Sequence, residues 1–191
     1  MKMARMHAWG EDGEAIAAAQ AGDATALETL LTAAWPHAYR IALSILRHPM
    51  AAEDAAQEAC ARVVLAIGQL RSCRAFGVWF YRLVVREALA IERRTPSHEA
   101  LDPRTLASAS TLTDVLVRLD VLRALGQLLP RERAVVALHY YAELNSREIA
   151  AIVGIPDATV RYHLARARRR LETLLASHRP QPLAEVLFDA R

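Results

Sequence analysis

LNSREIAAIVGIPDATVRYHLARARRRL, residues 144–171, is the stretch on which the fold reading turns. Asn145, Ser146, Arg147 and Glu148 form a capping box: the Asn side chain can cap the backbone N–H three residues on, and Glu148 can reach back. A helix therefore starts here. It ends at Gly154, which can take the positive φ of a sharp turn, and Pro156-Asp157 opens the next helix with Asp157 as its N-cap. Ala150, Gly154 and Val160 then occupy the small, turn and core positions of a helix-turn-helix. The small side chain lets the second helix approach closely, and the valine buries the joint.

That second helix, residues 158–174, carries Arg161, His163, Arg166, Arg168, Arg169 and Arg170, with no acid until Glu172. Charge of one sign repels itself unless a polyanion lies against it. Arginine suits the role because it can grip guanine edges bidentately or clamp phosphates, and the N-terminal part of such a helix is the part that enters the major groove. A solvated basic face is the plain reading of a charge run. The cap and the Ala-Gly-Val spacing favour DNA, with Thr159, Arg161, Tyr162, His163, Arg166, Arg168 and Arg169 as candidate contacts. Arg161 and Arg166 are expected to select bases, and Arg168 to Arg170 to hold phosphates.

Upstream, Val115, Leu116, Leu119, Leu122 and Leu125 recur at helical spacing, and Pro130 sits where a following helix would begin. These elements make a second domain over residues 113–178. Residues 95–112, with two prolines and several Ser and Thr but no sustained period, read as a flexible linker. A first helical domain spans residues 13–94. Its helix beginning near Ala51 places Glu53, Asp54, Gln57 and Glu58 on one face, with Ala55, Ala56, Ala59, Val63 and Ile67 left for the core. Acids on one face suit a basic protein partner, although a solvated face has about equal claim in isolation. A loop at Arg71–Arg74 leads into a helix from Phe76 to Arg94. There Trp79, Phe80, Tyr81, Arg82 and Arg86 mix aromatics with bases, as in proteins that hold unstacked bases; the spacing of Trp79 and Leu83 argues more strongly for core.

Composition fits this reading. The chain has 191 residues, 53% hydrophobic and 24% charged, with only 7 glycines and no alternating β-branched runs, which points to an all-α fold of two small helical domains. The longest run without a charged residue is Thr29–Tyr39, far short of the roughly 20 apolar residues of a membrane helix. Acids at Glu11, Asp12 and Glu14 interrupt any signal peptide, so a cytoplasmic protein with no membrane span is expected. Cys60 and Cys73 are too few and wrongly spaced for zinc, and the seven histidines include no pair at one-turn spacing. No phosphate loop or nucleophile elbow is present, so neither metal, cofactor nor catalysis is expected.

Taken together these residues resemble the extracytoplasmic-function sigma factors of bacterial RNA polymerase. AGDATAL from Ala21 resembles the family's early Gly-Asp motif, AAEDAAQEA from Ala51 its region 2.2, AFGVWFYRLVVREALAIERR from Ala75 its region 2.4, and the run from Leu129 to Leu171 its region 4. The resemblance implies that Asp54, Gln57 and Glu58 bind the polymerase clamp helices. It implies that Arg71, Ser72, Cys73, Arg74, Arg82 and Arg86 hold the minus-ten strand. Region 4 would read the minus-thirty-five element and bind the polymerase flap, while the linker threads toward the RNA exit path. An anti-sigma factor is the further partner the family allows. The chain departs from the pattern at Cys60, where a large aromatic is usual, at Arg86, where Asn is frequent, at Ala90, where Asp is frequent, and at Asn145, where Ser is frequent. A helix-turn-helix regulator that does not replace a sigma factor is the rival reading, but it leaves the acidic face unexplained; a small helical enzyme is a second rival, without a catalytic constellation to support it. The tail, residues 179–191, lies beyond the resemblance.

Overall fold

The computed structural model describes residues 13–94 and 121–175, and the regular structure within them is helical. In the first unit, α1 (Gly13–Gln20), α2 (Ala24–Leu46), α3 (Pro49–Ala66) and α4 (Phe76–Arg94) follow one another. The Gly-Asp step is built as the sequence suggests. Gly22 takes φ 97°, and the Asp23 carboxylate caps α2 by accepting from Thr25 N at 2.9 Å and Ala26 N at 3.0 Å. The helix then runs unbroken through Pro36 to Leu46.

Arg47 closes α2 in the left-handed conformation, φ 59°, and His48 starts α3: its Nδ1 accepts from Ala51 N at 3.3 Å, with Pro49 in the first turn. The expected start near Ala51 thus moves back by two residues, because an imidazole does the work of the usual Ser or Asp cap. Ala55, Ala56, Ala59, Val63 and Ile67 all point into the core, against Ile41, Ile45, Phe76, Phe80 and Val84. Fully burying a side chain such as these Ile and Phe stabilises by about 1.5–3 kcal/mol, so this layer carries the unit. Gln20 ties its far end: Nε2 donates to the carbonyls of Ile67 at 3.1 Å and Leu70 at 2.6 Å, fixing the turn that enters the Arg71–Arg74 loop.

In the second unit, residues 121–126 are helical, followed by α5 (Pro130–Tyr140), α6 (Ser146–Val153) and α7 (Asp157–Leu175). Leu122 and Leu125 are buried as expected; Val115, Leu116 and Leu119, the linker over 95–112 and the tail over 179–191 lie outside the described residues.

The two units pack on each other, α5 on α2 and α6 on α4. Arg133 Nη2 donates to Glu92 Oε1 at 2.6 Å with both side chains largely buried. Tyr141 lies with its hydroxyl 3.2 Å from His37 Nδ1, while the Arg40 guanidinium sits 5.5 Å over its ring. A Cβ at Gly126 would come within 2.5 Å of the Arg47 guanidinium, so glycine there allows that side chain to lie against the second unit. Apolar residues of both units join in one buried core, and nothing in the helical periods announces the polar contacts that accompany it, since those join side chains on different helices.

Candidate nucleic-acid and partner interfaces

The helix-turn-helix is assembled as its residues require. Asn145 Oδ1 accepts from Arg147 N at 3.0 Å and Glu148 N at 3.1 Å, and Glu148 Oε2 accepts from Asn145 N at 2.9 Å, which closes the capping box in both directions. Gly154 takes φ 73° at the turn, and Val160 is fully buried at the joint. Asp157 is the first residue of α7 rather than its cap, and its carboxylate pairs with Arg161 one turn on, at 3.3 Å.

Along α7 the basic residues divide into two groups. Arg161, Tyr162, Arg168, Arg169 and Arg170 are exposed, and Thr159 is half-buried. Tyr162 is 61% exposed, unusual for an aromatic and in keeping with a face awaiting a partner. His163, half-buried, and Arg166, exposed along with them, also reach back toward α5. Their Nδ1 and Nη1 each lie 3.4 Å from Glu132 Oε1, whose carboxylate is fully buried and whose other oxygen accepts from Leu129 N at 3.0 Å. Glu132 was not singled out from the sequence. The signal was there in Leu129-Pro130-Arg131-Glu132, which places an acid in the first turn behind a proline, where a carboxylate reaches back to the helix start. Arg168 pairs along its own helix with Glu172 at 2.7 Å.

On α3, Glu53, Asp54, Gln57 and Glu58 are all exposed, as the spacing expects. Behind them runs a groove lined by Asp54, Glu58, Arg62, Glu87, Ile91 and Arg94. Arg62 bridges its walls, 2.9 Å from Glu58 and 3.0 Å from the buried Glu87. The Glu58–Arg62 half of that bridge was readable as an i,i+4 pair; the Glu87 half was not, because it joins two helices.

In the loop, Arg71, Ser72 and Arg74 are exposed, while Cys73 is half-buried with its Sγ 3.5 Å from Gln20 Oε1. Both cysteines are free, and burial pushes the Cys60 thiol up from its ordinary value. On α4, Phe80 and Tyr81 are buried and Trp79 is half-buried against Phe76, with ring centroids 6.0 Å apart. These aromatics belong to the core, which leaves Arg82 and Arg86, with Arg93 and Arg94 in the last turn, as the exposed bases of that helix. Arg82 donates to the Ala151 carbonyl at 2.9 Å, and Arg86 Nε donates to Glu87 at 3.1 Å. Among the described residues no cluster of His, Cys, Asp or Glu is arranged to hold a metal ion, and no helix is long and apolar enough to cross a membrane.

Comparison with known proteins follows this division of the chain. Residues 30–95 match the family model of sigma-70 region 2, and residues 118–171 that of sigma-70 region 4. The ECF RNA polymerase sigma factor SigM of Mycobacterium tuberculosis (strain H37Rv) is 30% identical over 165 residues, covering 86% of this chain and 84% of the relative. The ECF RNA polymerase sigma-E factor of Escherichia coli K12 is 28% identical, over 80% of this chain and 88% of that one. Among solved structures, that of CnrH in complex with the cytosolic domain of CnrY aligns with a TM-score of 0.69 at 21% identity, over 87% of this chain and 98% of that chain, a likeness of fold. With both regions in order and such relatives matched along most of its length, the chain belongs to the extracytoplasmic-function sigma factors of RNA polymerase.

Proposed function

We propose that this chain is an alternative sigma factor in which the exposed acids of α3 bind core polymerase, α4 and the loop before it hold the minus-ten strand, and α7 reads the minus-thirty-five element. The observation that carries the reading is the separation of charge: Asp54, Gln57 and Glu58 stand exposed on the first unit, and an exposed basic helix stands behind a fully capped helix-turn-helix on the second. A regulator that only binds DNA needs the second of these and has no use for the first. The chain works by binding, not catalysis, in the cytoplasm where polymerase is, and an anti-sigma factor is a fitting third partner for a protein with two such faces.

The test is run-off transcription with core polymerase on genomic fragments, beside direct measurement of core binding. The wild type should start transcription at discrete promoters, and Asp54→Arg with Glu58→Arg should abolish core binding while the helical content stays unchanged. Charge pairs across interfaces are worth about 1.5–7 kcal/mol in favourable cases, so the loss is measurable. Core affinity indifferent to this double reversal would reject the assignment of that face.

A further inference from the structure

Arg86 stands where the family frequently has an Asn, and the structure shows what accompanies the change. Its Nε is 3.1 Å from Glu87 Oε1, and the same oxygen lies 3.0 Å from Arg62 Nε. Glu87 is 8% exposed, on the next position of α4, while the Arg86 side chain is 57% exposed. Arg62 is itself held by Glu58 at 2.9 Å. The carboxylate is therefore no mobile surface acid: it is buried, ion-paired across two helices with one arginine, and accepts a hydrogen bond from the other.

We propose that Glu87 is a positioning residue that turns Arg86 into a reader of guanine in the minus-ten strand. The proposal rests on the assignment of α4 to that strand. With Nε engaged by a buried carboxylate and the side chain otherwise exposed, the two Nη groups are left to act as a paired donor. Arginine has donors only, so the base edge that matches is the one with two neighbouring acceptors, guanine O6 and N7. A phosphate shares that two-acceptor chemistry. The same fork grips a phosphate bidentately, but a phosphate is present at every step of the strand and a guanine is not, so dependence on base identity separates the two.

The experiment uses holoenzyme assembled at saturating core polymerase, on a promoter found by run-off transcription and on variants carrying each of the four bases at each minus-ten position. Open-complex formation is read as the ratio between guanine and the other bases. That ratio cancels any change in core affinity, which matters because Glu87 also holds Arg62. The wild type should prefer guanine at one position by about tenfold. Arg86→Ala and Glu87→Leu should both bring the preference close to one, and Arg86→Lys should not restore it. A phosphate contact is the contrary outcome: Arg86→Ala then lowers opening equally on all variants and flattens its salt dependence, and the proposal fails. It also fails if Glu87→Leu keeps the wild-type ratio. Absence of any promoter-directed transcription by the wild type would reject the sigma-factor reading itself, a result distinct from either.

Discussion

The guanidinium of Arg82 donates to the backbone carbonyl of Ala151 at 2.9 Å, joining α4 of the first unit to α6 of the second. The same side chain is one of the exposed bases of α4, on the face proposed to hold the minus-ten strand. One guanidinium serves the seam between the units and, on the proposed reading, has to turn from it to meet DNA.

A single exposed hydrogen bond contributes about 0.5–1.5 kcal/mol, so Arg82→Ala should lower the unfolding free energy by no more than that. Promoter opening by the assembled holoenzyme should fall much further. Chemical denaturation and open-complex formation, measured on the same variant, check both halves. A large loss of stability with normal opening would make Arg82 a structural residue of the seam alone.

On α7 the bases carry different expected outcomes at neighbouring positions. Arg161 is exposed near the helix start, and Arg161→Ala should relax minus-thirty-five discrimination by about 1–3 kcal/mol. Arg169 is exposed two turns further on, and Arg169→Ala should weaken all sequences alike and lower the salt slope by about one. Competition binding of holoenzyme on promoter variants across a salt series separates the two. Arg166, expected from its position to select bases, is exposed and also lies 3.4 Å from Glu132, so its loss should show in stability as well as in binding.

These cases show what the chain discloses unaided. Features local in sequence were legible: the capping box at Asn145 and Glu148, the turn at Gly154, the alanine stripe of α3 and its acidic outer face all follow from spacings of three and four. Side chains whose partners lie on another helix were not. Periodicity places His163 and Arg166 on a basic helix, yet cannot see the buried carboxylate of α5 that both approach, nor that Phe80 and Tyr81 are taken by the core while Arg86 is held by a shared acid. The seam eluded the reading for the same reason.

Glu132 offers a test of that contact. Its carboxylate is fully buried, accepts from Leu129 N at 3.0 Å, and faces His163 and Arg166. Removing one partner of a buried ionic group costs about 3–5 kcal/mol, so Glu132→Ala should destabilise the chain severely. Glu132→Gln keeps an oxygen for Leu129 N and should cost less. Denaturation of both variants checks the order; equal losses would mean that the charge, rather than the hydrogen bond at the start of α5, carries the stabilisation.

The last expectation concerns pH. His37 lies at the seam with its Nδ1 3.2 Å from the Tyr141 hydroxyl, and burial, followed by the nearby Arg40 charge, holds it below the ordinary value of 6.5. Tyr141 is itself raised, first by burial, and stays a neutral hydroxyl throughout the range. A histidine depressed in the folded state binds its proton more readily once unfolded. Between the two values the unfolded chain therefore holds more protons, and stability rises with pH. The contribution of His37 is thus complete above about pH 6.5 and is lost as pH falls through the lower, folded value. Protonation also sets a cation beside Arg40, on the surface that joins α2 to α5, so the seam should weaken together with the fold. Thermal unfolding of the wild type between about pH 5 and 8 should show the midpoint dropping on the acid side, and His37→Gln should flatten that slope while changing the midpoint little at the lower end. An acid slope of equal size in the variant would place the titrating group elsewhere.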